Sequence, residues 1–323
     1  MRKLICALAL GALSVPAMAQ AECGKVSITE MNWASGQVVT AIANFVMTQG
    51  YGCDVSVVQS DTVPAVTSVA ENGEPDIVTE LWLNSTGDGY EELKAQGKIV
   101  EAGPVLEPGG VEGWWIPTYL AEAHPELKTI EGVLENPELV DSRFYNCPEG
   151  WGCRALSDNL ARALDLEGHG IEVFNAGSGQ VLASSMAEAV GNEEPWFGYY
   201  WGPTIPLGKY DMTKVDLGPV KPEVHERNKN KNADNPGVSG LPDAPVLTAV
   251  TSTFQKENPV VFELMQNMTF TTENMSAVLA WMDENNASAD EAAVYYLTNY
   301  KDQWSKWLND EARGNLANIL DQS

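Results

Sequence analysis

Two cysteines six residues apart constrain this chain more than any other feature of its sequence. Cys147 and Cys153 enclose residues 148–152, so a disulfide between them would hold Trp151 between two glycines at the tip of a small ring. An apolar pattern with helical spacing follows from about Arg154 and predicts a helix that begins directly behind the ring. The face of Trp151 and the free backbone N–H groups of a helix N-terminus would then lie side by side.

The first nineteen residues have the composition of an export signal. Arg2 and Lys3 form a charged start, residues 4–15 are apolar, and Ala17-Met18-Ala19 fits a cleavage site. About a dozen apolar residues are too few to span a bilayer as a helix, which needs about 20. We therefore expect cleavage after Ala19 and a soluble periplasmic protein.

Export makes a disulfide framework the expected role of the cysteines. Cys6 lies in the signal, which leaves four cysteines in an oxidising compartment, and four allow three connectivities. Proximity favours Cys147–Cys153 and leaves Cys23–Cys53, whose members each open a strand-like run. The spacings do not support a C-x-x-C redox site or a zinc site. The sequence predicts two disulfides, no metal and no cofactor.

The charge of the chain limits its partners. It carries 45 acidic and 19 basic side chains, a formal charge of −26 at pH 7. So acidic a surface argues against nucleic acid and anionic membranes, because both would repel it. It is compatible with a cationic ligand, and equally with a charge that serves solubility alone.

Strand-like and helix-like runs alternate along the first part of the chain and predict a parallel α/β sheet. The predicted strands are 25–31, 53–59 and 75–82, and the predicted helices between them are 36–49 and 63–71. Ligands of such sheets bind beyond the carboxyl ends of the strands. Trp33 follows the first predicted strand and Trp82 ends the third, so both are expected at the ligand-binding edge.

A second α/β region follows a Gly- and Pro-rich stretch at 105–113. Trp114 and Trp115 lie in the extended connector behind it. Adjacent side chains of an extended segment point to opposite faces, so at most one of the two is expected to reach a ligand. The region runs through the disulfide ring to a predicted strand at 196–201, and a polar loop at 221–243 leads to a last strand and a helical tail.

Three segments resemble the substrate-binding proteins of ABC importers for glycine betaine, choline and trimethylamine N-oxide. They are the ring at 147–153, the strand end Glu80-Leu81-Trp82 and the run Tyr199-Tyr200-Trp201-Gly202-Pro203. The resemblance covers nearly the whole mature chain in order and spacing. It implies an α/β two-lobed periplasmic-binding-protein fold of the type II kind, with two crossovers and a ligand cleft between the lobes. Lobe 1 would comprise residues 20–115 and 245–323, and lobe 2 residues 116–244.

The resemblance also implies how a ligand is held. A trimethylammonium group spreads its charge over methyl groups and donates no hydrogen bond, so its efficient host is a set of aromatic faces, each worth about 0.5–2 kcal/mol when water is excluded. The family motifs assign this role to Trp82, Trp151 and Trp201. Position alone adds Trp33 and one of the adjacent pair at 114–115, and the N–H groups of residues 152 and 153 are available to the other end of the ligand. The ligand-binding candidates are thus Trp33, Trp82, Trp114, Trp115, Trp151, Gly152, Cys153 and Trp201.

One position departs from the family pattern. Betaine-binding members can carry a histidine four residues after the strand-end tryptophan, where it helps to hold the ligand carboxylate, and here that position is Thr86. Glu112 and Glu131 near the first crossover are carboxylates that would repel betaine, although solvated surface acids are the simpler interpretation of both. We therefore expect trimethylamine N-oxide or choline ahead of glycine betaine.

An enzyme is the main alternative class. His124, His169 and His225 are widely separated, and the sequence contains no recognisable catalytic or nucleotide-binding motif. A binding module that reports to a sensor would share the fold and the aromatic site. The sequence favours a monomeric binding protein that delivers a small methylated amine to an ABC permease in the inner membrane. Packing roles are predicted for the other tryptophans, Trp196, Trp281, Trp304 and Trp307.

Overall fold

The computed structural model describes residues 23–86 and 88–320. The predicted export signal at residues 1–19 lies outside these described residues. Within them, no helix combines the length and the apolar character that crossing a membrane requires.

The fold is a mixed α/β sheet covered by helices. The strands are β1 (Lys25–Met31), β2 (Asp54–Ser60), β3 (Ile77–Trp82), β4 (Ile99–Pro117), β5 (Arg143–Asn146), β6 (Glu172–Asn175), β7 (Gly198–Gly202), β8 (Met212–Lys214), β9 (Ala244–Thr251) and β10 (Phe270–Thr271). The helices are α1 (Ala34–Tyr51), α2 (Thr62–Asn72), α3 (Asp88–Ala95), α4 (Thr118–Ala123), α5 (Ile130–Glu135), α6 (Cys153–Ala163), α7 (Gly179–Asn192), α8 (Ile205–Lys209), α9 (Pro222–Lys229), α10 (Ser252–Glu257), α11 (Pro259–Asn267), α12 (Thr272–Glu284), α13 (Ala289–Asn299), α14 (Lys301–Trp304) and α15 (Asp310–Leu320). Short 3₁₀ turns lie at Leu83–Ser85, Pro125–Lys128 and Pro137–Val140.

The first lobe follows the predicted alternation of strands and helices. β1 pairs in parallel with β2 on one side and with β3 on the other. The helix between the first two strands, α1, buries Val38, Ile42 and Val46 at the i, i+4 spacing of an amphipathic helix. It ends where Gly52 adopts a left-handed φ of 69°. It runs two residues further at each end than the predicted range 36–49.

The long strand β4 carries the chain out of the first lobe. Its residues 99–110 pair with β9, and its residues 111–117 pair with β7 and β8. The change of partner falls at Gly110, where a Cβ would overlap the ring of Trp82.

The chain returns to the first lobe through β9, which pairs antiparallel with both β3 and β4. The sheet order is β2-β1-β3-β9-β4-β7-β5-β6, so β4, which pairs with β9 in the first lobe and with β7 in the second, joins the two lobes into one continuous sheet. The tail helices α13 and α15 pack on α1, on the first lobe. The predicted two-lobed α/β fold is confirmed.

Two disulfides hold the ends of strands and the ring. Cys23 bonds to Cys53, and these residues precede β1 and β2, whose parallel register sets Lys25 beside Asp54. Cys147 bonds to Cys153 across the ring. These are the pairings that the sequence predicts.

Candidate functional site

A small cavity between the lobes gathers most of the residues expected at a ligand. Its volume is about 30 Å³, against roughly 10–15 Å³ needed to admit one water molecule. Its walls are formed by Trp33, Thr62, Trp82, Ser85, Glu112, Trp151, Gly152, Cys153, Tyr199 and Trp201. We call the four tryptophans among them, Trp33, Trp82, Trp151 and Trp201, the cage tryptophans.

The first lobe contributes two cage tryptophans from neighbouring parallel strands. Trp33 directly precedes α1 at the carboxyl end of β1, and Trp82 ends β3, so the two share one edge of the sheet. The register of β3 against β9 shifts between Val78 and Leu81, and Glu80 within this bulge has a φ of 51°. A bulge re-aims the side chains that follow it, and here it precedes Trp82.

The second lobe contributes the ring tryptophan, Trp151. Its indole lies with the ring centroid 5.5 Å from that of Trp33 and 4.8 Å from that of Trp201. The planes meet at 73° and 87°, so the three indoles form an edge-to-face cluster. Trp151 also donates a hydrogen bond of 2.7 Å from its indole N–H to the side-chain oxygen of Asn32 in the first lobe. The disulfide ring is therefore held against the first lobe.

The start of α6 forms the wall beside Trp151. Gly152 and Cys153 line the cavity, and the helix begins at Cys153. A Cβ at Gly152 would overlap the backbone oxygen of Ser85, so only glycine permits this approach of the two lobes. The predicted helix behind the ring is present and starts one residue earlier than expected.

A buried carboxyl group forms the polar part of the cavity wall. Glu112 is 2% exposed, and its Oε1 accepts hydrogen bonds from the hydroxyls of Ser85, at 2.9 Å, and Tyr199, at 2.6 Å. Its Oε2 has no partner among the described residues. Burial raises the pKa of this carboxyl, against the lowering effect of the Tyr199 and Ser85 hydrogen bonds.

The surface interpretation of Glu112 is therefore wrong, and that of Glu131 holds. Glu112 lies opposite Trp201 in the pairing of β4 with β7, and directly paired residues of antiparallel strands share a face. Glu131 is exposed in the first turn of α5, where a negative charge is favourable.

A second buried carboxyl group, Glu80, lies behind the first-lobe tryptophans and does not line the cavity. Its Oε2 accepts hydrogen bonds from the indole N–H of Trp33 and from the hydroxyl of Ser35. Burial raises its pKa to about 7, although hydrogen bonds from Trp33, Ser35 and Trp82 act in the lowering direction.

The structure does not bring Trp114 and Trp115 to the cavity. Trp114 lies on the same face of β4 as Glu112, but it is fully buried two residues further along the strand, 4.2 Å in centroid distance from Phe144. Trp115 points to the other face, where its indole N–H donates a 3.1 Å hydrogen bond to the backbone oxygen of Tyr200. Alternation along the strand separates the two side chains as expected, and neither belongs to the cavity wall.

The remaining tryptophans pack away from the cavity. Trp196 and Trp304 are fully buried, Trp307 is 6% exposed and Trp281 stacks on Tyr295 at 4.2 Å. Four wall residues were absent from the predicted ligand-binding residues, Thr62, Ser85, Glu112 and Tyr199. Tyr199 lies two residues before Trp201 on the same face of β7, and this period-2 spacing is the signal that would have found it.

The fold and the site define a class of protein. Two lobes linked by extended strands, with a small aromatic cavity between them, form a solute-binding protein. The chain belongs to the family described as the substrate binding domain of ABC-type glycine betaine transport systems, whose model matches residues 24–299. It is therefore a transport binding protein and not an enzyme.

Individual proteins that are similar to this chain are described as binding proteins for small methylated amines. The chain is 23% identical over 316 residues to the trimethylamine N-oxide-binding protein of Pelagibacter ubique (strain HTCC1062), covering 94% of this chain and 97% of that protein. A choline-binding protein of an ABC transporter in complex with choline superimposes with a TM-score of 0.73 at 19% identity, over 92% of this chain and 98% of the other. Lactococcal OpuAC, closed around glycine betaine, gives a TM-score of 0.71 at 22% identity, over 88% and 100%. These two solved structures have the same fold as this chain.

Proposed function

We propose that this protein is the periplasmic component of an ABC importer for a small methylated amine that lacks a carboxylate. Trimethylamine N-oxide is the preferred ligand, choline the next and glycine betaine the third. The observation that carries the proposal is the buried carboxyl group of Glu112 in the wall of an aromatic cavity, with one oxygen that has no hydrogen-bond partner among the described residues.

The cage tryptophans supply the site for the cationic end of the ligand. Three of their indoles lie within 5.5 Å of a neighbouring ring, and all four are at most 8% exposed. A trimethylammonium group between such faces would gain about 0.5–2 kcal/mol from each face in a site that excludes water. This affinity requires no hydrogen bond from the ligand.

Glu112 distinguishes between the other ends of the candidate ligands. A buried carboxyl group with a raised pKa can donate its proton to an N-oxide oxygen, and in its ionised form it can accept the hydroxyl proton of choline. A betaine carboxylate would meet a like charge wherever Glu112 is ionised, which disfavours it. Thr86 in place of a histidine supplies no cation to offset that repulsion.

The size of the site favours the most compact candidate. The ring centroid of Trp151 lies only 5.5 Å from that of Trp33 and 4.8 Å from that of Trp201, which leaves a narrow site for a trimethylated head group. Trimethylamine N-oxide adds one oxygen to that group, whereas choline adds a hydroxyethyl arm. The trimethylamine N-oxide-binding relative covers nearly the whole chain, which also supports this order.

Titration calorimetry with trimethylamine N-oxide, choline, glycine betaine and carnitine tests the proposal. Wild-type protein is expected to bind the first two more tightly than glycine betaine. Glu112→Gln removes the like charge but keeps a hydrogen-bond acceptor. The affinity for glycine betaine should therefore rise about tenfold relative to the affinities for the other ligands, a factor that corresponds to an interaction of roughly one pKa unit. Glu131→Gln, on the exposed start of α5, is the matched control and should change nothing. Tighter binding of glycine betaine than of the other ligands by the wild type would contradict the proposal.

A further inference from the structure

We infer that Glu80, although it does not line the cavity, is the counter-charge of the cage and sets the preference of the site for cationic ligands. It is a positioning residue that acts on the ligand through the indole of Trp33. This inference rests on the proposed function and deepens it.

The carboxyl group of Glu80 is buried without a basic partner among the described residues. The residue is completely buried, and Oε1 has no hydrogen-bond partner among the described residues. Its Oε2 accepts the indole N–H of Trp33 and the hydroxyl of Ser35. Its backbone, at a φ of 51°, adopts the left-handed conformation that costs a non-glycine residue energy and that is concentrated at functional sites.

The elements packed around β3 supply no compensating cation. Helix α1 and strand β9 contain no charged residue. In β1, Lys25 is exposed, and Glu30 accepts a hydrogen bond from Gln59 on the neighbouring strand β2. In β4, the charged residues are Glu101, Glu107 and Glu112, all of them acids. The influences on the pKa of Glu80 are accordingly burial and hydrogen bonds, with no basic group among them.

A cation in the cage would supply the missing partner. A buried carboxylate without a counter-charge is unfavourable, and a positive charge nearby favours its ionised form. The hydrogen bond from Trp33 to the carboxylate also polarises the indole and makes its face a better host for a cation. Binding of a cation should therefore release the proton of Glu80, and ionisation of Glu80 should tighten binding.

A merely structural role for Glu80 is separable from this one. If the side chain only held Trp33 in place, the amide oxygen of a glutamine would accept the same indole hydrogen bond. Glu80→Gln thus keeps the acceptor and removes the charge. Glu30→Gln, which removes a charge at the β1–β2 edge of the same lobe, is the matched control.

The test is titration calorimetry with choline, whose charge is the same at pH 5.5 and pH 8.5. Wild type should bind choline about tenfold or more tightly at the higher pH, the factor that corresponds to one pKa unit. Glu80→Gln should lose about tenfold in affinity at pH 8.5 and reduce the pH dependence. The remaining part would come from Glu112 and from Asp61 beside Trp151, since burial raises the pKa of both acids. Ser35→Ala removes one hydrogen bond to the carboxylate, so its pH profile should shift to higher pH. Glu30→Gln should match wild type.

Two further measurements distinguish an effect of the charge of Glu80 from a structural effect of its side chain. The uncharged carbon analogue of choline, 3,3-dimethylbutan-1-ol, should lose no affinity in Glu80→Gln. In ligand-free protein, the indole N–H resonance of Trp33 should titrate near pH 7 in wild type but not in Glu80→Gln.

The failures of the two proposals are distinguishable. Equal choline affinity and equal pH dependence in wild type and Glu80→Gln would overturn the counter-charge role and leave the proposed function standing. The same loss for choline and for its uncharged analogue would show a structural role and also overturn it. Failure of wild type to bind any methylated amine would overturn both.

Discussion

The indole N–H of Trp151 donates a hydrogen bond of 2.7 Å to the side-chain oxygen of Asn32, and this bond crosses the cleft between the lobes. The same tryptophan contacts Trp33 of the first lobe and Trp201 of the second. Trp151 therefore fixes both the orientation of its indole in the cavity and a contact between the lobes. Weakening its hydrogen bond to Asn32 should lower ligand affinity.

Asn32→Ala is expected to weaken binding of trimethylamine N-oxide by about two- to tenfold, because a typical hydrogen bond contributes about 0.5–1.5 kcal/mol net. Titration calorimetry measures the change. Gln59→Ala is the control, since its amide, on the exposed edge strand β2, donates a 3.3 Å hydrogen bond to Glu30 and does not cross the cleft. Unchanged affinity in Asn32→Ala would show that the lobes close without this bond.

The cage tryptophans should dominate the affinity. Trp151→Ala and Trp201→Ala are each expected to remove at least about 1–2 kcal/mol, roughly a tenfold loss or more. Phenylalanine at either position should cost less, because a weaker aromatic face remains. Trp281→Ala makes the same change where the ring stacks on Tyr295 in the tail, and it should leave affinity unchanged. Native affinity in the double variant of Trp151 and Trp201 would refute the role of the cage.

The resemblance to family motifs predicted Trp82, Trp151 and Trp201 as ligand-binding residues, and the position after the first predicted strand added Trp33. Trp82 ends a strand, Trp151 is enclosed by a six-residue disulfide loop, and Trp201 shares its strand with Tyr199. Trp114 could not be assigned in the same way. The alternation of side chains along a strand fixes the face on which a residue lies. It does not show at which residue of that face the cavity wall ends and the hydrophobic core begins.

The buried acids were harder to predict for a related reason. Glu80 lies in the otherwise apolar or neutral strand Ile77–Trp82, and Glu112 lies next to Gly113 in a Gly-rich connector. A single charged residue in an apolar strand or a Gly-rich connector is ordinarily interpreted as solvent-exposed. Its burial follows from a bulge in one case and from pairing opposite Trp201 in the other, and both depend on contacts between distant strands.

The two buried acids should make the free protein less stable as pH rises. Both have a pKa raised by burial, so the folded state binds more protons than the unfolded state. Their contribution to stability is complete below the unfolded pKa of about 4.3 and is lost as pH rises through the folded pKa. For Glu80 the folded pKa is about 7, so ionisation would cost on the order of 3 kcal/mol.

Urea unfolding of ligand-free protein between pH 5 and pH 8 measures this effect. Glu80→Gln should gain stability relative to wild type as pH increases, although it binds cations less tightly. Because acids elsewhere, such as Glu291, have lowered pKa values and act in the opposite direction, the informative quantity is the difference between the two proteins. Parallel stability curves over this range would contradict the ionisation of Glu80.

The two disulfides should differ in what they support. Cys23–Cys53 closes a loop of sequence separation 30, whereas Cys147–Cys153 closes one of 6. Loop-closure entropy gives stabilisations of about 3.6 and 2.2 kcal/mol respectively, so replacing the first pair with serine should lower the unfolding free energy more. The smaller ring holds Trp151 in the cavity wall, so its removal should cost more affinity for trimethylamine N-oxide. Urea unfolding and calorimetry on the two double-serine variants give both quantities, and a variant of Cys147 and Cys153 with native affinity would show that α6 and Asn32 orient Trp151 without the bond.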